Sequence, residues 1–359
     1  MSNRLIARKL RDLALMFGAA PRKPSPEEMS EEARELLAFK RSPEERKRRK
    51  AAIASERSEA KQSHKWRWIR WSTIFLFNGL FVISYWIDLQ VVEGALTASR
   101  ILGLHFADLN SSLQLMLAHK HVVINLVIGV TTILLVYALI GGRNFCSWVC
   151  PYHFVSELAE MVHLKLAAMK IVRDHELDRR LRVVLFFVFA VLAFVTGYPL
   201  FEAISPVGIL SRALTYGTAI ALIWVTLLLL AEIFWSRRLW CRYVCPVGLG
   251  YGLAGIVAPV RIMYDTSKCL HEGKCRQVCL VPHVLDLTKL GFARDAMTPI
   301  GVDCTRCAMC IDVCPTGALT FDIVGLTGAG AAEEPEEEYA EEQEEKKEER
   351  KGEREEARP

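Results

Sequence analysis

No cleavable leader is expected from the sequence. Its first 60 or so residues are crowded with charge, and the first apolar run starts only near Trp71, whereas a secretory signal sets a short apolar core just behind a few basic residues. Lys, Arg, Asp and Glu are missing from four stretches, about 71–87, 121–142, 183–201 and 214–231. Each is close to the roughly 20 residues that cross a bilayer as helix, so the reading is four membrane spans rather than solvent-facing helices. Histidines at matching depth are lacking: His119 and His121 open the second run and no other run carries one, which excludes haem held between two imidazoles. After Gly330 there is almost nothing apolar, which excludes a packed core and leaves an acidic, solvated tail. The basic run Arg46–Lys50 lies just ahead of the first apolar stretch, where such runs fix topology, so no nucleic-acid partner is expected.

Cysteine is plentiful. There are eleven, an odd number in clustered spacings, which points to metal rather than disulfides. The run Cys304-Thr-Arg-Cys307-Ala-Met-Cys310-Ile-Asp-Val-Cys314-Pro315 has the spacing in which three thiolates hold one iron-sulfur cubane and the fourth crosses to another. Cys269, Cys275 and Cys279 supply the partner run. The crossing rule assigns Cys279, Cys304, Cys307 and Cys310 to a first [4Fe-4S] cluster, and Cys269, Cys275 and Cys314 to a second. Midway between Cys269 and Cys275, where a fourth thiolate belongs, stands Glu272. Three outcomes stay open: a [4Fe-4S] cluster with oxygen from Glu272 or nitrogen from His271, a [3Fe-4S] cluster, or no second cluster. Zinc uses similar spacings, but closes with four ligands where this pattern uses seven.

Two further motifs, Arg143-Asn-Phe-Cys146-Ser-Trp-Val-Cys150-Pro151 and Arg238-Leu-Trp-Cys241-Arg-Tyr-Val-Cys245-Pro246, match in their Arg, aromatics, Val and Cys-Pro. They follow the second and fourth apolar runs, as a duplicated two-span unit would. Their four thiols are candidates for a further cluster, another soft metal or redox disulfides. Lys and Arg crowd before the first run, between the second and third, and after the fourth. The positive-inside rule then places both termini in the cytoplasm of a multi-pass protein of the bacterial inner membrane. The expected fold is mostly α: a four-helix transmembrane bundle plus a small α+β cytoplasmic ferredoxin-like domain with two cluster sites. The expected division is a charged, partly disordered extension (1–66), membrane domain (67–262), ferredoxin-type domain (263–326) and disordered tail (327–359). Within the extension, residues 6–17 fit either an amphipathic helix on lipid headgroups, with Arg4, Arg8, Lys9 and Arg11 as its basic face, or a plain solvated segment.

Together, FCSWVCP, WCRYVCPVG and the CxxCxxCxxxCP tail resemble the NapH/MauN family of ferredoxin-type membrane proteins over about residues 68–324. The resemblance implies a quinol dehydrogenase subunit rather than a complete enzyme. Such a subunit takes electrons from the membrane quinone pool toward periplasmic nitrate reduction, through an iron-sulfur or cytochrome partner such as NapG. It carries Cys146, Cys150, Cys241 and Cys245 over as the first motifs and the seven later cysteines as cluster ligands. Glu272, and Leu280 where proline usually follows Cys279, depart from the pattern, as do the charged ends. Quinol oxidation releases protons; Glu232, Glu202, Asp88, His119 and His121 are the candidate acceptors. The competing readings are a metal-handling or oxidase-assembly factor of CcoG type and a membrane redox sensor.

Overall fold

Helix boundaries follow capping chemistry. The computed structural model describes residues 2–59, 64–87, 92–101, 103–217 and 220–323; Asp88 and the acidic tail lie outside them. Three helices open the chain, α1 (Ser2–Met16), α2 (Glu31–Arg41) and α3 (Pro43–Glu59). Ser30 caps α2, its Oγ accepting from the Ala33 N–H at 3.2 Å, with Glu31 and Glu32 at the positive end of the helix. Next comes α4 (Lys65–Ile87), followed by an antiparallel sheet of β1 (Val92–Ala95), β2 (Ala98–Ile101) and β3 (Leu104–Ala107), in which Val92 faces Ile101 and Ala98 faces Ala107.

The middle of the chain is helical: α5 (Leu109–His119), α6 (Ile124–Ile140), α7 (Asn144–Trp148), α8 (Pro151–Ala168), α9 (Leu181–Thr196), α10 (Leu200–Ile204), α11 (Pro206–Tyr216), α12 (Leu222–Phe234), a π-helical turn at Trp240–Val244, and α13 (Val247–Ala254). Asp108 caps α5 through the N–H groups of Asn110 and Ser111. Pro151 and Pro206 begin α8 and α11, where a missing N–H costs nothing. The last third holds β4 (Val260–Asp265), α14 (Lys274–Val278), a 3-10 turn at Pro282–Thr288, β5 (Met297–Pro299), α15 (Met309–Asp312) and β6 (Leu319–Ile323), with sheet order β5-β4-β6. Met1–Phe321 form one compact unit; of the second, which begins at Asp322, only the end of β6 is described.

The mostly helical expectation holds, but the four-span transmembrane bundle does not. Among the described residues no helix is long and apolar enough to cross a membrane, which also removes the basis for a multi-pass inner-membrane placement with cytoplasmic termini. The physical reason is where the apolar runs break. Gly197 (φ 68°) and Gly217 (φ 71°) adopt left-handed backbone and end α9 and α11 inside the third and fourth runs. The second run yields α6, 17 residues, or about 25 Å at 1.5 Å per residue against a hydrocarbon core of about 30 Å. α4 has 23 residues but carries Lys65, Arg67 and Arg70 in its first turns and Asn78 and Ser84 farther on. Absence of charge located these runs; it could not locate the glycines' handedness.

The helices share a core around Phe145, Tyr152, Phe201, Trp240 and Tyr251, and the C-terminal third has its own around Ile262, Tyr264, Leu285 and Leu319. Met16, at the end of α1, is buried against Leu249 and Val302, and Arg182 donates to its carbonyl at 3.0 Å. The turn between α6 and α7 is locked where Gly142 (φ 73°) abuts Gly255: a Cβ on Gly142 would lie 2.5 Å from the Gly255 Cα. Gly142→Ala should therefore cost about 2 kcal/mol or more, from left-handed strain plus a backbone clash. Gly79→Ala, where a Cβ meets nothing within 4 Å, should gain up to about 1 kcal/mol of helix propensity. Thermal unfolding of the two variants checks the contrast.

Candidate functional site

The thiols predicted for the first cluster come together. Cys279, Cys304, Cys307 and Cys310 are all buried, the first from the end of α14, Cys304 and Cys307 from the loop leading into α15, and Cys310 from α15 itself. Burial, then the neighbouring Cys307 and Cys304, push the Cys279 thiol up, and the same neighbours act on Cys310. Burial pushes Cys304 up to about 11, so loading iron on this soft, dry donor set must displace protons. Cys269 and Cys314 act likewise on Cys275, which gathers the three remaining thiols as a second set. Among the described residues no three His, Cys, Asp or Glu groups are drawn in tightly enough to hold a single metal ion.

The two sets share one turn. Arg306 adopts φ 51° and its N–H donates to the Cys304 Sγ at 3.4 Å; His271 adopts φ 57° and its N–H donates to the Cys269 Sγ at 3.3 Å. Glu272 thus occupies the place in Cys269-Leu-His-Glu272 that Cys307 occupies in Cys304-Thr-Arg-Cys307. Its carboxylate lies 3.1 Å from the Lys274 ammonium. His271 donates through Nδ1 to the Thr288 carbonyl at 2.8 Å, which leaves the lone pair on Nε2, a buried atom without a hydrogen-bond partner among the described residues. Burial lowers this imidazole to about 4, so it is neutral. Both residues lie in the turn between Cys269 and Cys275.

The twinned motifs meet as well. Cys146, Cys150, Cys241 and Cys245 line one cavity of about 40 Å³ together with Asp108, Ser111, Glu202 and Leu280. Leu280, the residue in place of the expected proline, thus reaches the thiol cavity from the position after Cys279. Arg242, between Cys241 and Cys245, donates to the Leu280 carbonyl at 3.0 Å, and Cys241 packs against both hydrophobic cores. Ser111 Oγ lies 2.7 Å from Glu202 Oε2 and 3.2 Å from Asp108 Oδ2, and the Tyr251 hydroxyl donates to Asp108 at 2.9 Å. Burial raises both carboxyls. Of the sequence candidates, Glu202 lines the cavity; Glu232 is fully buried, accepting from Ser156 at 2.6 Å and the Trp240 N–H at 3.1 Å; His119 and His121 are exposed. Asp108 was missed, because in sequence it is one unremarked acid before a helix.

The arginine that opens each motif is buried and answers a carboxylate. Arg143 donates to Asp303 Oδ1 at 2.5 Å and to the Asp303 carbonyl at 3.0 Å; Arg182 joins it at 3.1 Å, and His283 Nε2 lies 2.9 Å away. Burial alone would raise Asp303, but Arg143 and Arg182 hold it well below the usual carboxylate range. Arg238 pairs with Glu160, and Arg70 donates to Glu157 at 2.5 Å. His153 stands between these arginines, 2.6 Å from Arg70 and 3.4 Å from Arg238. Guanidinium only donates, so His153 Nε2 accepts from Arg70.

Known proteins match this chain in sequence. A 4Fe-4S binding domain family model matches residues 122–168 and 216–258, the segments that carry the two cavity motifs. The methylamine utilization ferredoxin-type protein MauN of Methylorubrum extorquens is 31% identical over 280 residues, 77% of this chain and 96% of that protein. The ferredoxin-type protein NapH of Escherichia coli is 30% identical over 290 residues, covering 79% and 98%. MauN of Paracoccus denitrificans is 34% identical over 229 residues, covering 62% and 78%. No solved structure gives a significant match.

Asp303→Asn leaves two buried guanidiniums without their anion and should cost about 3–5 kcal/mol in denaturant unfolding; a loss under 1 kcal/mol would contradict the clamp. His153 gives a pH signature. Burial, then Arg238 and Arg70, lower it well below its ordinary value, so the unfolded chain takes up a proton below pH of about 6.5 that the folded chain refuses. Its contribution is complete above that pH and falls by up to about 1.4 kcal/mol per pH unit below it. Stability of His153→Gln should therefore drop less than wild type between pH 7 and pH 5; parallel profiles would contradict a neutral His153.

Proposed function

Because this chain belongs to the NapH/MauN family of ferredoxin-type proteins, we propose that it serves as the electron-collecting subunit of a quinol-oxidising chain and not as a complete enzyme. It is a ferredoxin-type electron-transfer protein with a 4Fe-4S binding domain. The observation that carries the finer reading is that four cysteines from two distant motifs line one cavity, beside a carboxylate pair bridged by a hydroxyl.

In this reading Cys279, Cys304, Cys307 and Cys310 hold one [4Fe-4S] cluster. Cys269, Cys275 and Cys314 hold a second, [4Fe-4S] or [3Fe-4S], with His271 or Glu272 at the open corner, and Cys146, Cys150, Cys241 and Cys245 hold a further one. When bound, the clusters supply one-electron sites. A hydroquinone becoming a quinone gives up two electrons and two protons. With the four thiols of the cavity given over to the cluster, the hydroquinone approaches the rim. There the Glu202 side chain is 20% exposed beside Arg212. Glu202 receives one proton, and the Ser111 hydroxyl links it to Asp108 for the other. The electrons leave to an iron-sulfur or cytochrome partner of NapG type, with nitrate reduction the terminal use that the family suggests.

Two substitutions separate the roles. Cys146→Ser and Cys241→Ser should each remove one cluster's iron and sulfide and abolish reduction by a short-chain menaquinol; unchanged metal content and reduction would remove the cavity from the pathway. Glu202→Gln should keep the iron but slow menaquinol-dependent reduction by about a hundredfold, as stopped-flow absorbance reports.

A further inference from the structure

The N-terminal arm reaches the three-thiol site through one side chain. Lys40, in the last turn of α2, is only 5% exposed. Its ammonium donates to the Thr266 carbonyl at 2.5 Å and to the Cys269 carbonyl at 2.7 Å. The helix is seated by further contacts: the Ser30 N–H donates to the Arg294 carbonyl at 2.7 Å, and Glu28 pairs with Arg294 at 3.1 Å. A buried ammonium is expensive unless hydrogen-bonded and balanced by negative charge. The two carbonyls satisfy hydrogen bonds but carry no net charge, and one of them belongs to Cys269, a member of the three-thiol set. Lys40 is therefore arranged toward a charge that the thiols, once metal-bound, would carry.

We propose that Lys40 is a positioning residue that supplies the counter-charge of the second cluster, held by Cys269, Cys275 and Cys314, and that α2 is a strap sealing this site. The inference rests on reading those cysteines as cluster ligands. One-electron reduction adds a negative charge to the cluster, and a fixed ammonium bonded to the carbonyl of one of its ligands stabilises the reduced form more than the oxidised one. The strap also answers a weakness of the site. With Glu272 in place of a fourth thiolate, one corner lacks a cysteine's grip, and Lys40 fixes both ends of the Thr266–Cys269 turn that leads into that corner.

The test is an EPR-monitored redox titration of the anaerobically reconstituted full chain. Lys40→Met should make the second cluster about tenfold harder to reduce, a shift of about 59 mV for a one-electron couple. It should also speed the loss of that signal in air while leaving the first cluster's signal unchanged. Lys40→Arg should restore the potential, and Lys47→Met, on the exposed face of α3, should have no effect. A second-cluster potential and air lifetime unaltered in Lys40→Met overturn the proposal. A wild-type chain with the first signal but no second overturns the ligand reading, and the proposal with it. Should Lys40→Met lose both signals through misfolding, limited proteolysis of the wild type decides: cleavage within 31–41 should be slower in the iron-loaded chain than in the cluster-free chain, and equal rates overturn the strap.

Discussion

A single carboxylate ties the helical part to the cysteine-rich part. Asp303 precedes the first thiol of the Cys304–Cys314 run, and it is held by Arg143 from the first cavity motif, by Arg182 from α9, and by His283 from the turn after Cys279. Two guanidiniums against one buried carboxylate leave a positive surplus, which suits a neighbourhood of thiolates. Arg182 also holds the Met16 carbonyl, so the first helix, the helical core and the Cys304–Cys314 run meet at one point. Remove the anion and three segments lose their common anchor.

The duplication visible in the motifs continues into their electrostatics. Arg143 and Arg238, matched in sequence, are both buried against carboxylates, Asp303 in one case and Glu160 in the other. Each pairing fixes the backbone just ahead of a Cys-x-x-x-Cys-Pro turn. Four thiols reach one cavity because both turns are anchored by the same device to different parts of the chain.

Much of the site was legible because cysteine spacing is a local quantity. A turn that brings two thiols to one metal needs a set number of residues, and that number is kept at Glu272, where the spacing calls for a cysteine. The membrane reading failed because it rested on composition alone: Gly197 and Gly217 stop helices within apolar runs. Lys40, Asp108 and Asp303 were invisible for another reason. Their partners lie far away along the chain, or across the cavity, and a charged residue read by itself looks like solvated surface.

Leu280 adjoins both groups of thiols. It follows Cys279 directly, lines the cavity of the other four cysteines, and offers its carbonyl to Arg242 between two of them. Were both thiol sets to carry clusters, this one aliphatic residue would be part of the gap between them, and any change in its length would change that gap.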